Sequence, residues 1–200
     1  MAVPIVWRVL RADDRLPARP QRVLVAGTSG AGKTTLAAAI GRVLAVPHVE
    51  IDALFHGPGW TPRPSFEADV RAFAAAPEWV TEWQYGVVRP LLLERADLLV
   101  WLDLPRTQVL RQVVRRTVRR RLRRTRLWSG NVEPPLWTIL SEPDHIVRWA
   151  WTSHPTTGPR VEAAQRSRPE LPMVRLRSRS DVTRWLAGPL REVVERPSRG

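Results

Sequence analysis

The chain has 200 residues, enough for one domain with a substantial core and a small appendage. It has no cysteine, which excludes disulfides and a thiolate zinc site, and the early residues Pro4, Arg8 and Arg11 leave no apolar run of membrane-spanning length. Lys and Arg outnumber Asp and Glu by 32 to 19, a formal charge of +13 that attracts nucleotides, nucleic acid or an anionic membrane surface; the lack of cysteine fits a cytoplasmic protein, and no membrane association is expected.

Residues 5–10 can form a strand, and a polar, proline-marked link leads on to residue 21, so residues 1–21 read as an N-terminal arm or edge strand. The apolar run Arg22 to Ala26 then feeds Gly27-Thr28-Ser29-Gly30-Ala31-Gly32-Lys33-Thr34, and an alanine-rich helix follows from Lys33 to about Leu44. Phosphate chemistry accounts for each residue type. Glycines let successive backbone N–H groups turn toward anionic oxygens, the helix start adds a favourable dipole, and Thr35 continues it. Lys33 supplies a mobile charge for the β and γ phosphates, and the Thr34 hydroxyl is placed for Mg²⁺.

Further on, 48–52 reads as a second strand ending in Asp52. A Gly-, Pro- and aromatic-rich loop covers 55–64, and a helix covers 65–75. Residues 79–83 are a third strand, and 98–103 a fourth whose nearly continuous apolar run suits burial on both faces. Residues 173–176 form a fifth, a helix follows over 181–186, and residues 188–200 read as a C-terminal tail. Strands alternating with helices predict an α/β fold of the P-loop NTPase class, with a mostly parallel sheet and helices on both faces, over residues 22–187. Ligands in such sheets bind beyond the carboxyl ends of the strands, where Gly27, Asp52, Glu82 and Asp103 are expected.

Asp103 closes the fourth strand, where a carboxylate either binds Mg²⁺, directly or through water, or caps a turn. Leu104 and Pro105 after it replace the glutamate of ATP-driven motors, which disfavours a helicase or transporter. Asp52 can orient or deprotonate an acceptor hydroxyl, join the Mg²⁺ shell, or cap its loop. Glu82 either contacts the acceptor or packs beside Trp83. Arg111, Arg115, Arg119 and Arg123 recur every fourth residue beside Leu110, Val114, Val118 and Leu122, which predicts one amphipathic basic helix within a helical lid over 107–155. Arg115, Arg119 and Arg123 can close over a transferred phosphoryl group and stabilise its spreading charge, or form a solvated face. The four histidines lack zinc-motif spacing.

Taken with Glu50-x-Asp52, Gly57-Pro58-Gly59-Trp60, Trp79 to Tyr85, Leu99 to Pro105 and Trp128-x-Gly130-Asn131, the phosphate loop resembles the adenylate-kinase-like bacterial P-loop proteins of the DNA topology modulation (FlaR) type, over most of 22–187. The resemblance implies a nucleoside-monophosphate-kinase fold with its lid in 111–131. It places the donor base beside Arg177, Ser178 and Arg179, while Trp60, Glu82, Tyr85 and Arg89 are the candidate acceptor residues. The chain departs from that pattern at residues 81–85, where Trp83 stands in place of a small residue. The expected activity is an ATP- and Mg²⁺-dependent phosphotransfer, with ATP or GTP as donor and a small molecule, a nucleotide or a specialised metabolite, as acceptor. The alternatives are a nucleic-acid-binding regulatory ATPase and a nucleotide-binding protein without turnover.

Overall fold

The computed structural model describes residues 9–122 and 146–196. Five strands pair in the order β2-β3-β1-β4-β5, and every pairing is parallel. They are β1 (Arg22–Gly27), β2 (His48–Val49), β3 (Trp79–Glu82), β4 (Leu98–Leu102) and β5 (Met173–Leu176). The central strand β1 is apolar along its length, and Val23, Leu24 and Val25 are all fully buried, as a parallel strand covered on both faces requires.

Strand alternation splits the core into two layers. Val23 and Val25 face α1 (Lys33–Leu44) through Leu36 and Ile40, and on the same side lie Trp185 of α7 (Arg179–Ala187) and Leu190 of α8 (Pro189–Glu195). Leu24 and Ala26 face the other layer, with Ile51 of α2 (Ile51–Phe55), Phe66 of α3 (Phe66–Ala74), Leu92 of α4 (Arg89–Arg95) and Val161 of α6 (Ile146–Ser167). The fold is therefore of the P-loop NTPase class, a parallel sheet flanked by helices on both faces. Asp97, just before β4, accepts the N–H groups of Gln21 and Arg22 and so fixes where β1 begins.

Three sequence expectations change. Strand β2 stops at Val49, and Asp52 lies in the first turn of α2 rather than at a strand end, because the buried Glu82 carboxylate accepts the Ile51 N–H at 3.1 Å and starts the helix there. The segment from 188 is not all tail, since α8 buries Leu190 and Val193, each such aliphatic side chain contributing about 2 kcal/mol. Helix α4 had no expected counterpart. At the other end, Leu10 forms a parallel bridge with Val174, donating its N–H to Met173 O and accepting from Arg175 N.

Helix α5 (Arg106–Leu122) follows β4 as expected, but its inward stripe is displaced by one residue. Val109 and Val113 are buried, Leu110 is half-buried, and Val114 is 41% exposed. Helix α6 carries Pro155 and Pro159 inside it, so two backbone N–H groups are missing from its ladder.

Candidate functional site

At the carboxyl end of β1 the chain turns through Gly27 to Gly32 into α1. Gly30 has φ 79° and Gly32 φ 101°, left-handed values that side chains oppose. At Gly30 the requirement is doubled, because an added Cβ would stand 2.1 Å from Val113 Cγ2 of α5. Helix α5 therefore rests directly on the phosphate loop. Gln112 Oε1 lies 3.9 Å from the place a Gly32 Cβ would take. From the other layer, the Thr28 hydroxyl meets that of Thr157 in α6 at 3.3 Å.

Lys33 is 7% exposed, and its ammonium donates to the Thr28 carbonyl at 3.2 Å. Burial lowers its pKa to about 8; Asp52 and Glu82 act in the opposite sense, and Arg116 adds to the lowering. A buried, desolvated cation beside left-handed glycines and a helix start forms a cradle suited to a phosphate chain. Thr34, half-buried at the start of α1, fits a Mg²⁺-binding hydroxyl.

Arg116 was not singled out in the sequence. The expected closing residue Arg115 is exposed, while Arg116, half-buried, is an α5 arginine whose charge bears on Lys33. The cause is the displaced stripe, since Arg106, Val109, Val113 and Arg116 share one helical arc. Arg123 and residues 128–131 lie outside the described residues, as does the side chain of Arg119.

Asp103 also departs from expectation. Its Oδ2 accepts Arg175 Nε at 2.8 Å and Nη2 at 2.5 Å, and Arg177 Nε stands 3.6 Å away. Arg175 in turn lies 4.3 Å above the Trp101 ring. The carboxylate expected at a metal thus anchors arginines from β5 and its loop, because parallel register sets Trp101 beside Arg175 and brings Asp103 level with the strand end. Next to it, Ser178 caps α7 in a reciprocal box with Asp181, which fixes the loop of Arg177, Ser178 and Arg179; both arginines are exposed.

Around Asp52 the structure gathers several expected residues and some that sequence reading missed. Tyr85 Oη donates to Asp52 Oδ1 at 2.6 Å, and Gln84 Nε2 donates to the same oxygen at 2.8 Å. Tyr85 Oη also meets His56 Nε2 at 3.3 Å, and its ring stacks on Phe55 at 4.0 Å. Burial, with the charge and hydrogen bond of Asp52, raises the Tyr85 pKa well above its ordinary value, so it remains a neutral donor. Burial also lowers the His56 pKa, against the pull of Asp52. Trp60 meets the His56 ring edge-on at 5.2 Å. The spacing of Asp52 and His56, four residues apart across one helical turn, was the available signal for His56.

Glu82 is 1% exposed, with one oxygen 3.1 Å from His48 Nε2 and the other on Ile51 N. Burial opposes its charge, but these hydrogen bonds hold its pKa below the ordinary value. Both oxygens are thus engaged in fixing β2 and α2, rather than turned to an acceptor. Trp83 is half-buried and donates its indole N–H to the Arg89 carbonyl, while the Arg89 guanidinium lies 5.7 Å from the Trp83 ring. Burial and the charge of Arg160 in α6 lower the Arg89 pKa.

No family model matches the chain, and no curated protein does. Solved structures do. A gluconokinase from Sinorhizobium meliloti 1021 is 19% identical with a TM-score of 0.48, the match covering 89% of this chain and 95% of that one. A shikimate kinase from Acinetobacter baumannii in complex with shikimate is 14% identical with a TM-score of 0.48, covering 88% of this chain and 89% of that one. A shikimate kinase from Bacteroides thetaiotaomicron is 18% identical with a TM-score of 0.43, covering 88% and 99%. These findings overturn the resemblance to DNA topology modulation proteins, since the neighbours are small-molecule kinases and no family model supports the other assignment. Among the described residues, no helix is long and apolar enough to cross a membrane.

Proposed function

We propose that the chain transfers the γ-phosphoryl group of ATP, bound with Mg²⁺, to a hydroxyl group of a small molecule. The observation that supports this most is the juxtaposition of a phosphate-loop lysine with a half-buried carboxylate, Asp52, whose charge partly offsets the lowering of the Lys33 pKa by burial. A carboxylate accepts a hydrogen bond from an O–H group, whereas it repels a phosphate oxygen.

In this reading the backbone N–H groups of residues 27–35 hold the donor phosphates, and the Thr34 hydroxyl serves the metal shell. Mg²⁺ supplies charge neutralisation on the phosphate oxygens. Lys33 and Arg116 stabilise negative charge as it spreads, joined by Arg115, Arg119 and Arg123 from the rest of α5 and beyond. Arg177, Ser178 and Arg179 flank the donor base. Trp60, Tyr85 and Arg89 border the acceptor, whose hydroxyl is oriented by Asp52. One oxygen–phosphorus bond forms as the bond to the leaving nucleoside diphosphate breaks, and the hydroxyl proton departs by way of Asp52.

The test is a panel of sugar acids, cyclic hydroxy acids, sugars, nucleosides and nucleoside monophosphates, offered with ATP or GTP and Mg²⁺. Both the diphosphate and the phosphorylated product are followed. Product with a hydroxyl acceptor is expected, and Lys33→Ala, shown to be folded by its thermal transition, should lose at least about a hundredfold in rate. Product formed only from nucleoside monophosphates would refute the hydroxyl reading, and none from any acceptor would refute phosphotransfer.

A further inference from the structure

Asp52 sits on a helix of five residues, a length with little stability of its own. Its orientation has to come from tertiary contacts, and these arrive from one short stretch, residues 82–85, at the end of β3. Glu82 fixes the start of the helix through the Ile51 N–H, while Gln84 and Tyr85 both donate to Asp52 Oδ1. Among the described residues, no hydrogen-bond donor meets Oδ2.

The stretch is itself held in an uncommon shape. Tyr85 has φ 56°, a left-handed value that an aromatic residue adopts only where its surroundings impose it. Here Phe55 stacks on the ring, Phe66 meets it at 5.1 Å nearly edge-on, and His56 reaches the hydroxyl. Val88 and Arg89 both donate their N–H groups to the Tyr85 carbonyl, tying it to the start of α4. The strained backbone delivers the phenol to one carboxylate oxygen and not the other.

We infer that Gln84 and Tyr85 are positioning residues that hold Asp52 by Oδ1 and leave Oδ2 to accept the hydrogen bond of the acceptor hydroxyl; the inference rests on the phosphotransferase reading. The carboxylate then has one oxygen committed to the protein and one to the substrate. An acceptor must present a donor group at that point. Loss of either clamp side chain lets the carboxylate rotate, so the acceptor is held less often in line with the phosphoryl group. Transfer slows while binding of the nucleotide at the phosphate loop is untouched.

The chain has a single tyrosine, so protein labelled with ¹³Cζ-tyrosine gives one resonance, that of Tyr85. In the wild type that resonance should keep its phenol position through the range where free tyrosine ionises, near pH 10. In Asp52→Asn it should titrate at least about one pH unit lower than in the wild type, because the carboxylate that opposes a phenolate is gone. Equal titration in both proteins overturns the clamp, whatever the fate of the kinase reading. With an acceptor from the panel, Tyr85→Phe and Gln84→Ala should each lower kcat about tenfold or more and leave KM for ATP unchanged. Gln84→Asn, which keeps an amide donor on a shorter stem, should recover part of the loss. A shifted resonance with undiminished kcat would show a hydrogen bond that positions nothing, and would overturn the inference. A panel without product removes the phosphotransferase reading and this inference with it, while the resonance still reports on the hydrogen bonds.

Discussion

Lys33 concentrates the chemistry of the site in one buried group. Its pKa of about 8 in the folded chain lies below its ordinary 10.5, and burial is the principal cause. Below pH 8 the lysine is charged in both folded and unfolded chains, and the full cost of burying that charge is present. Between about pH 8 and 10.5 the unfolded chain still holds the proton and the folded chain releases it. Stability from this group therefore rises with pH across that window, with a slope approaching about 1.4 kcal/mol per unit. Urea midpoints of wild type and Lys33→Met, measured from pH 7 to 10, should diverge in this sense; parallel curves would contradict the lowered pKa. The same reasoning predicts that phosphate binding, which favours the ammonium, draws in a proton above pH 8. At the residue scale the lysine and its loop were legible in the sequence because their signals are local: three glycines, a lysine and a threonine in fixed order after an apolar run.

At the scale of elements, the phosphate loop and α5 are one packed unit, and the contact was not legible. Thr107 to Arg124 reads as amphipathic with a stripe on Leu110 and Val114, but Val109 and Val113 stand directly beside them, so two adjacent stripes are equally apolar. What selects Val109 and Val113 is the bare surface of Gly30, a tertiary fact. Gly30→Ala should be destabilising by about 2 kcal/mol or more, since it combines a left-handed backbone with a Cβ 2.1 Å from Val113 Cγ2. Thermal unfolding of Gly30→Ala alone and paired with Val113→Ala provides the check: the second substitution should restore part of the loss by making room, and additive losses would refute the contact. Asp52 was misassigned for a similar reason. The run His48 to Asp52 has strand character, and only the Glu82 carboxylate, more than thirty residues away, ends the strand and begins a helix. The β1 to α1 boundaries and β5 needed no such long-range partner, and the sequence reading matches them.

Over the whole molecule, two apolar layers secure the sheet from both sides while its carboxyl edge collects Lys33, Asp52, Glu82 and Asp103 from different strands and helices. The expected architecture holds because buried parallel strands declare themselves by continuous apolar runs. The division of labour among the acidic groups does not. Glu82 and Asp103 look equivalent to Asp52 in a linear reading, and only pairing shows that the first anchors backbone and histidine, the second anchors arginines, and the third accepts the Gln84 and Tyr85 donors on a single oxygen. One feature of the sheet reaches beyond the site. Strand β5 is the last in the order, and the backbone groups on its outer side would invite another chain to pair with it. Leu10 occupies those groups at Met173 and Arg175, so the short N-terminal contact acts as a guard against self-association. Deleting residues 1–12 should leave the phosphate loop intact and yet make the protein assemble with itself at concentrations where the full chain stays dispersed, a difference that light scattering would register.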